Sequence, residues 1–165
     1  MKGFTRILVP HDDSPAAGRA LQVAGDLLES NGTLVLCRVV DMSGMLSPTT
    51  PTFSPESNAP IDVLWREAHD SLAQAARESL ARDTSAEIEV VDGHPVDAIL
   101  AMTRENHADA IVMGSHGRRG LARLVLGSTA EGVLRRSTVP VVVVRDPRES
   151  ESVGVQSAAT PHLAL

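Results

Sequence analysis

The chain has 165 residues, a formal charge of −6, and 42% hydrophobic against 22% charged residues, the balance of a single globular domain rather than of a disordered chain. Two Phe, one Trp and no Tyr leave little for base stacking, and the acidic charge is a poor match for phosphate backbones, so both argue against a nucleic-acid module. One cysteine, Cys37, rules out an internal disulfide and a multi-thiolate zinc site.

Short apolar runs alternate with longer segments of helical period. The first strand is expected at residues 7–9, Ile7-Leu8-Val9. A helix should follow at 15–30, where Ala17, Ala20, Leu21, Ala24, Leu27 and Leu28 fall on one stripe. Ser14 before Pro15 reads as its cap, and Asn31-Gly32 as its end. Residues 33–40 form the second strand. Residues 42–60 carry four prolines among Ser, Thr and Gly, and read equally well as a lid over a ligand or as a surface loop.

A second helix is expected at 61–84, with Leu64, Ala68, Leu72, Ala75 or Ala76 and Leu80 inward. A strand at 87–91 leads to a helix at 95–107 built on Val96, Ile99, Leu100 and Thr103. A fourth strand spans 110–113, and a helix at 128–137 opens with the capping-box spacing of Ser128 and Glu131. The last strand is Val141-Val142-Val143-Val144. Several strands are apolar at every position, as in a parallel sheet covered on both faces.

The order implies a doubly wound α/β fold: a five-stranded parallel sheet with helices on both faces and ligands at the carboxyl ends of the strands. The expected domain is 1–145, with a disordered tail at 146–165. No histidine pair has metal-ligand spacing, no apolar run approaches a membrane span, and no signal peptide opens the chain. A soluble cytoplasmic protein without membrane association is the expectation.

Chemistry concentrates in Met113-Gly114-Ser115-His116-Gly117-Arg118-Arg119-Gly120-Leu121-Ala122-Arg123-Leu124-Val125-Leu126-Gly127-Ser128-Thr129. Gly114 and Gly117 permit positive φ and close backbone approach, and Gly127, Ser128 and Thr129 place N–H groups at the positive end of a helix. Such a segment is either an anion site or a structural glycine turn. It is not a Walker loop, because no Gly-Lys-Ser/Thr follows, and it lacks the position and spacing of the dinucleotide fingerprint.

The full pattern is Gly114-x2-Gly117-x9-Gly127-Ser128, opened by Met113 and closed by Val139-Pro140 and four valines. Together with Ile7-Leu8-Val9-Pro10-His11-Asp12-Asp13-Ser14, it resembles the universal stress protein family, specifically its ATP-binding branch. The resemblance covers the chain from about Arg6 to Arg145. It implies a Rossmann-like, adenine nucleotide alpha hydrolase-like fold with ATP, AMP or ADP above the first and fourth strands, and Mg only through the nucleotide.

On that resemblance Pro10, Val39 and Met113 wall the adenine, and Asp12 accepts from the ribose hydroxyls. Gly114, Gly117, Gly127, Ser128 and Thr129 line the path to the phosphates. Asp12 also has a plain reading as a turn former, Ser128 as a helix cap, and Val39 and Met113 as core. Arg118, Arg119, Arg123 and His116 are candidate phosphate contacts or solvated loop residues. Gly93 reads as a turn glycine, and Trp65 as a core or interface anchor.

The function implied is a nucleotide-dependent stress-response sensor or regulator with slow or no ATP hydrolysis and no catalytic residues, acting through unknown protein partners. The last strand, Val141 to Val144, is an apolar edge for which the resemblance implies pairing in a homodimer. Two alternatives stand beside it. One is a dimeric scaffold without nucleotide, which intact Gly114, Gly117 and Gly127 disfavour. The other is an ATP pyrophosphatase-type enzyme, disfavoured because Pro10-His11-Asp12-Asp13-Ser14-Pro15 stands where its glycine-rich loop would be.

Overall fold

The computed structural model describes residues 3–41, 59–115 and 126–145. The expectation for the tail at 146–165 lies outside the described residues, as does that for the loop at 42–60 as far as residue 58, whereas Ala59 and Pro60 open a helix instead. Among the described residues nine elements follow one another: β1 (Phe4–Pro10), α1 (Pro15–Leu27), β2 (Leu28–Val40), α2 (Ala59–Ser79), β3 (Ser85–Asp92), α3 (Pro95–Glu105), β4 (Ala110–Gly114), α4 (Ser128–Arg136) and β5 (Val141–Val144). The strands form one sheet in the order β3-β2-β1-β4-β5, and every pairing is parallel.

Strand alternation splits the core in two. Ile7, Val9, Leu34, Leu36, Ala110 and Val112 point to one face, where Ala20, Leu21 and Ala24 of α1 and Leu72 of α2 cover them. Leu8, Val35, Cys37, Ile111 and Met113 point to the other, beneath Val96, Ile99 and Leu100 of α3 and Ala130 and Val133 of α4. Both layers are built almost entirely from aliphatic side chains. The fold is the expected doubly wound parallel sheet with helices on both faces.

Several element ends differ from the sequence reading, and strands start earlier than expected, β1 at Phe4 and β2 at Leu28. Helix α1 stops at Leu27, and Leu28 already has strand dihedrals. Asn31-Gly32 therefore ends no helix. It sits in an irregular stretch where β1 advances from Phe4 to Arg6 while β2 advances from Leu28 to Thr33. A Cβ at Gly32 would fall 2.7 Å from Leu28 Cδ1 and 2.9 Å from the Thr5 carbonyl, so the glycine serves the close contact with Leu28 and β1. Helix α2 ends at Ser79 and gives way to a turn closed by the Thr84 N–H on Ala81 O. Helix α3 ends at Glu105 because His107 takes a left-handed φ of 51°. At α4 the N-cap is Gly127, not Ser128, and Glu131 pairs with Arg135 one turn on, so the capping box is not formed.

At the amino ends of the strands, Asp109 ties β4 to β1. Its carboxylate accepts from the Thr5 N–H and hydroxyl at 2.8 Å each and from the Arg6 N–H at 3.1 Å. Partial burial raises its pKa, but these bonds together outweigh that and hold it below the usual value. The carboxyl ends are left for other work.

Candidate functional site at the carboxyl ends of β1 and β4

The chain crosses from β3 over the sheet to β4, so β1 and β4 flank the point where strand order reverses. In open parallel sheets this is where the loops part and leave a crevice. What lies there comes from the segment after β1, the end of β4 and the start of α4.

Pro10 is the last residue of β1, level with Cys37 of β2. By alternation it shares the α3–α4 face with Leu8. Val39 and Met113 are on that same face, packed into one apolar cluster. The three residues read as an adenine wall thus come from three adjacent strands and one side of the sheet. Asp12 follows, and its Oδ1 accepts from the Ser14 N–H at 3.1 Å, so the turn-forming reading of Asp12 holds.

The motif glycines separate by role. Gly114 lies under α1: a Cβ there would stand 3.0 Å from the Ala16 carbonyl carbon and the Ala17 nitrogen. Close approach is what it provides; among described glycines only Gly93 has positive φ, at 137°. Gly93 is a turn glycine whose N–H bonds Val40 O at 3.1 Å.

Ser115 is fully buried. Its N–H donates to Val144 O and its carbonyl accepts from the Gly127 N–H, both at 2.8 Å. The second bond draws the start of α4 onto the end of β4. The first bond of the helix runs from the Glu131 N–H to Gly127 O, so the N–H groups of Ser128, Thr129 and Ala130 precede the ladder. No N-cap side chain covers them. Gly117, His116, Arg118, Arg119 and Arg123 lie outside the described residues.

A polar cluster missed by the sequence reading occupies the opposite face of the same strand ends. Asp13 adopts a left-handed φ of 62°. Its carboxylate pairs with the Arg38 guanidinium and accepts from the Ser71 hydroxyl at 2.6 Å. His11 is buried, and its Nδ1 accepts from the Asp13 N–H at 3.3 Å. Burial lowers its pKa below 6.5, aided by Arg38 and opposed by Asp13 and Asp12. The signal in the sequence was Arg38, the one charge within the apolar strand 33–40.

Cys37 is buried, and burial pushes its thiol up to about 12, with Glu89 adding to the effect, so it packs as an inert hydrophobe. Among the described residues no group of three His, Cys, Asp or Glu is placed to hold a metal ion. No helix among them is long and apolar enough to cross a membrane.

A model of the universal stress protein family matches residues 3–145. The chain belongs to that family. Among its universal stress protein relatives, MJ0531 of Methanocaldococcus jannaschii is 29% identical over 151 residues, covering 88% of this chain and 85% of its own length. The solved structure of MJ0577, from the same organism, superposes with a TM-score of 0.75 at 27% identity, over 88% of this chain and 98% of that one. A universal stress protein solved in complex with cAMP gives a TM-score of 0.57 at 29% identity, over 87% of this chain and 98% of its own.

Proposed function

We propose that this universal stress protein binds an adenine nucleotide, ATP with Mg or else AMP or ADP, in the crevice between the carboxyl ends of β1 and β4. The observation that carries the reading is the start of α4. Three uncapped N–H groups, at Ser128, Thr129 and Ala130, are held against the end of β4 by the Ser115–Gly127 bond, on the side of the sheet that carries Pro10, Val39 and Met113.

The donor set suits an anion at one end and an apolar ring at the other. Gly127, Ser128 and Thr129 would take phosphate oxygens, Asp12 the ribose hydroxyls, and Pro10, Val39 and Met113 the base. Gly114 holds the floor of the crevice against α1. Mg would arrive with the phosphates it neutralises. A family relative that holds cAMP, itself an adenine nucleotide, adds support.

The same reading makes the protein a cytoplasmic nucleotide-dependent regulator of a stress response rather than a fast ATPase. Of the two carboxylates after β1, Asp13 is engaged by Arg38 and Ser71 on the far face and is not available to activate water at the phosphates. The edge strand β5 has both its faces packed into the two cores. Its outer edge has no strand partner among the described residues, which suits pairing with a second copy. Sedimentation as a monomer at micromolar concentration would refute the dimer.

The decisive experiment is thermal unfolding with ATP and Mg, AMP, ADP and cAMP in turn. A nucleotide at a hundredfold over its dissociation constant adds about 2.7 kcal/mol. For a domain of this size that raises the midpoint by roughly 5–10 °C. No shift with any of the four sinks the nucleotide reading and leaves the dimeric scaffold.

A further inference from the structure

We infer that Arg38, Asp13 and Ser71 form a clamp on the α1–α2 face that fixes the turn after β1 and so aims Asp12 at the nucleotide, which makes Arg38 and Asp13 positioning residues. The inference rests on the ribose role of Asp12 proposed above.

Successive residues at the end of β1 divide between the two faces of the sheet. Pro10 belongs to the α3–α4 face, and His11, following Val9 by two, belongs to the other. The His11 N–H still pairs with Cys37 O at 2.8 Å, so strand geometry persists to that point. Continuing the register of Pro10 with Cys37 brings His11 level with Arg38 and Asp12 level with Val39. Asp13 then turns back, at φ 62°, and its carboxylate reaches Arg38 of β2 and Ser71 of α2.

A left-handed aspartate costs backbone energy that the surroundings must offset. Here they do so from three sides. Ser71 donates to Oδ1 at 2.6 Å, the Arg38 guanidinium pairs with Oδ2, and the Asp13 N–H donates to His11 Nδ1 at 3.3 Å. The Oδ2 contact is an ion pair rather than an aligned hydrogen bond, since that guanidinium nitrogen has no partner of hydrogen-bond geometry among the described residues. Arg38 adds a second hold, with Nε donating to the His11 carbonyl at 3.3 Å. Residues on both sides of Asp12 are therefore pinned to β2 and α2.

Arg38 is costly where it stands, with its side chain only 13% exposed in a strand of apolar neighbours. An aliphatic residue would serve stability as well or better at such a position. What an aliphatic residue lacks is a fork that holds a backbone carbonyl and a carboxylate of the same turn at once. Releasing Asp13 frees its φ, and with it the direction of Asp12 and the Ser14 N–H that bonds Asp12 Oδ1 at 3.1 Å.

The test compares ATP with 2′,3′-dideoxy-ATP on the full chain, in wild type, Arg38→Met, Ser71→Ala and Arg6→Met. Arg6 is the control, because it also loses an ion pair, with Glu87, but at the opposite end of β1. Wild type should prefer ATP by about tenfold, the worth of one charged hydrogen bond to the ribose. In Arg38→Met that preference should fall to about twofold or less while dideoxy-ATP binds unchanged, and Arg6→Met should keep it. Loss of affinity for both ligands alike, or a retained preference, overturns the positioning role. Ser71→Ala removes one hydrogen bond and no charge, and should lower the preference in the same direction if Arg38→Met does not fold.

Amide exchange at Asp13 and Ser14 separates this failure from failure of the nucleotide reading. If wild type shows no preference for ribose, the role of Asp12 falls. Faster exchange at these amides in Arg38→Met than in Arg6→Met would then still establish the clamp, and equal exchange would remove it.

Discussion

Helices α1 and α4 both start at the carboxyl edge of the sheet, and their first turns are finished in opposite ways. At α1 the Ser14 hydroxyl accepts from the Ala17 N–H at 3.2 Å, Pro15 removes one donor, and Gly114 presses against the backbone of Ala16 and Ala17. That end is closed by protein. At α4 the cap is Gly127 with no side chain, and the donors of Ser128, Thr129 and Ala130 have no partner among the described residues. Two glycines of one motif therefore do different things: Gly114 seals one helix start, and Gly127 leaves the other able to take an acceptor from outside.

The largest effect should come from breaking the closed end. In Gly114→Val the new Cβ lands 3.0 Å from backbone atoms of α1, which cannot rotate away as a side chain would. Overpacking of this kind costs about 1–3 kcal/mol. Urea unfolding of the nucleotide-free protein should show that loss in full. Unchanged stability would mean that α1 shifts freely, and the distinction between the two helix starts would be lost.

On the nucleotide-free protein the open end gives a smaller effect, and one of opposite sign. Gly127 has φ −73° and ψ 152°, dihedrals any residue adopts, so Gly127→Asp introduces a capping carboxylate without backbone strain. The nucleotide-free protein should gain about 0.5 kcal/mol from the cap and the helix dipole. The thermal shift with ATP should vanish, because the carboxylate occupies the donors and repels phosphate. A variant that is stabilised and still shifts with ATP would place the phosphates elsewhere.

Element order and the covering of the sheet by helices on both faces were legible in the sequence because they follow from apolar period and the alternation of strand with helix. Ala17, Leu21, Leu72, Ile99 and Leu100 are buried or packed as their spacing required. Helix ends were less legible, since a glycine reads alike as a stop and as a place of close approach. Gly32 lies beneath Leu28 and Gly114 beneath Ala16, both contacts between segments distant along the chain or bent back on themselves. Ser128 shows the same limit: the spacing to Glu131 fits a cap, but Ser115 O holds the Gly127 N–H and moves the helix start back by one residue. The Asp13–Arg38–Ser71 cluster was hidden because its members come from a turn, a strand and a helix far apart along the chain.

The closed end should also resist protons, and this is the smallest effect. His11 is buried, and its Nδ1 is an acceptor for the Asp13 N–H, so the folded chain favours the neutral ring. Burial and Arg38 press its pKa below 6.5, against the opposing pull of Asp13 and Asp12. In the unfolded chain the ring takes its proton near 6.5, and in the folded chain only at lower pH. The unfolded state therefore binds more protons in between, and stability falls as pH drops from 6.5 to the folded value and then levels. Urea midpoints across that window should decline for wild type and stay flatter for His11→Gln. A wild-type midpoint that rises on acidification would mean that the protonated ring is welcomed by Asp13, whose Oδ1 lies 3.5 Å from Nδ1. The α1 end would then be a charged site rather than a sealed one.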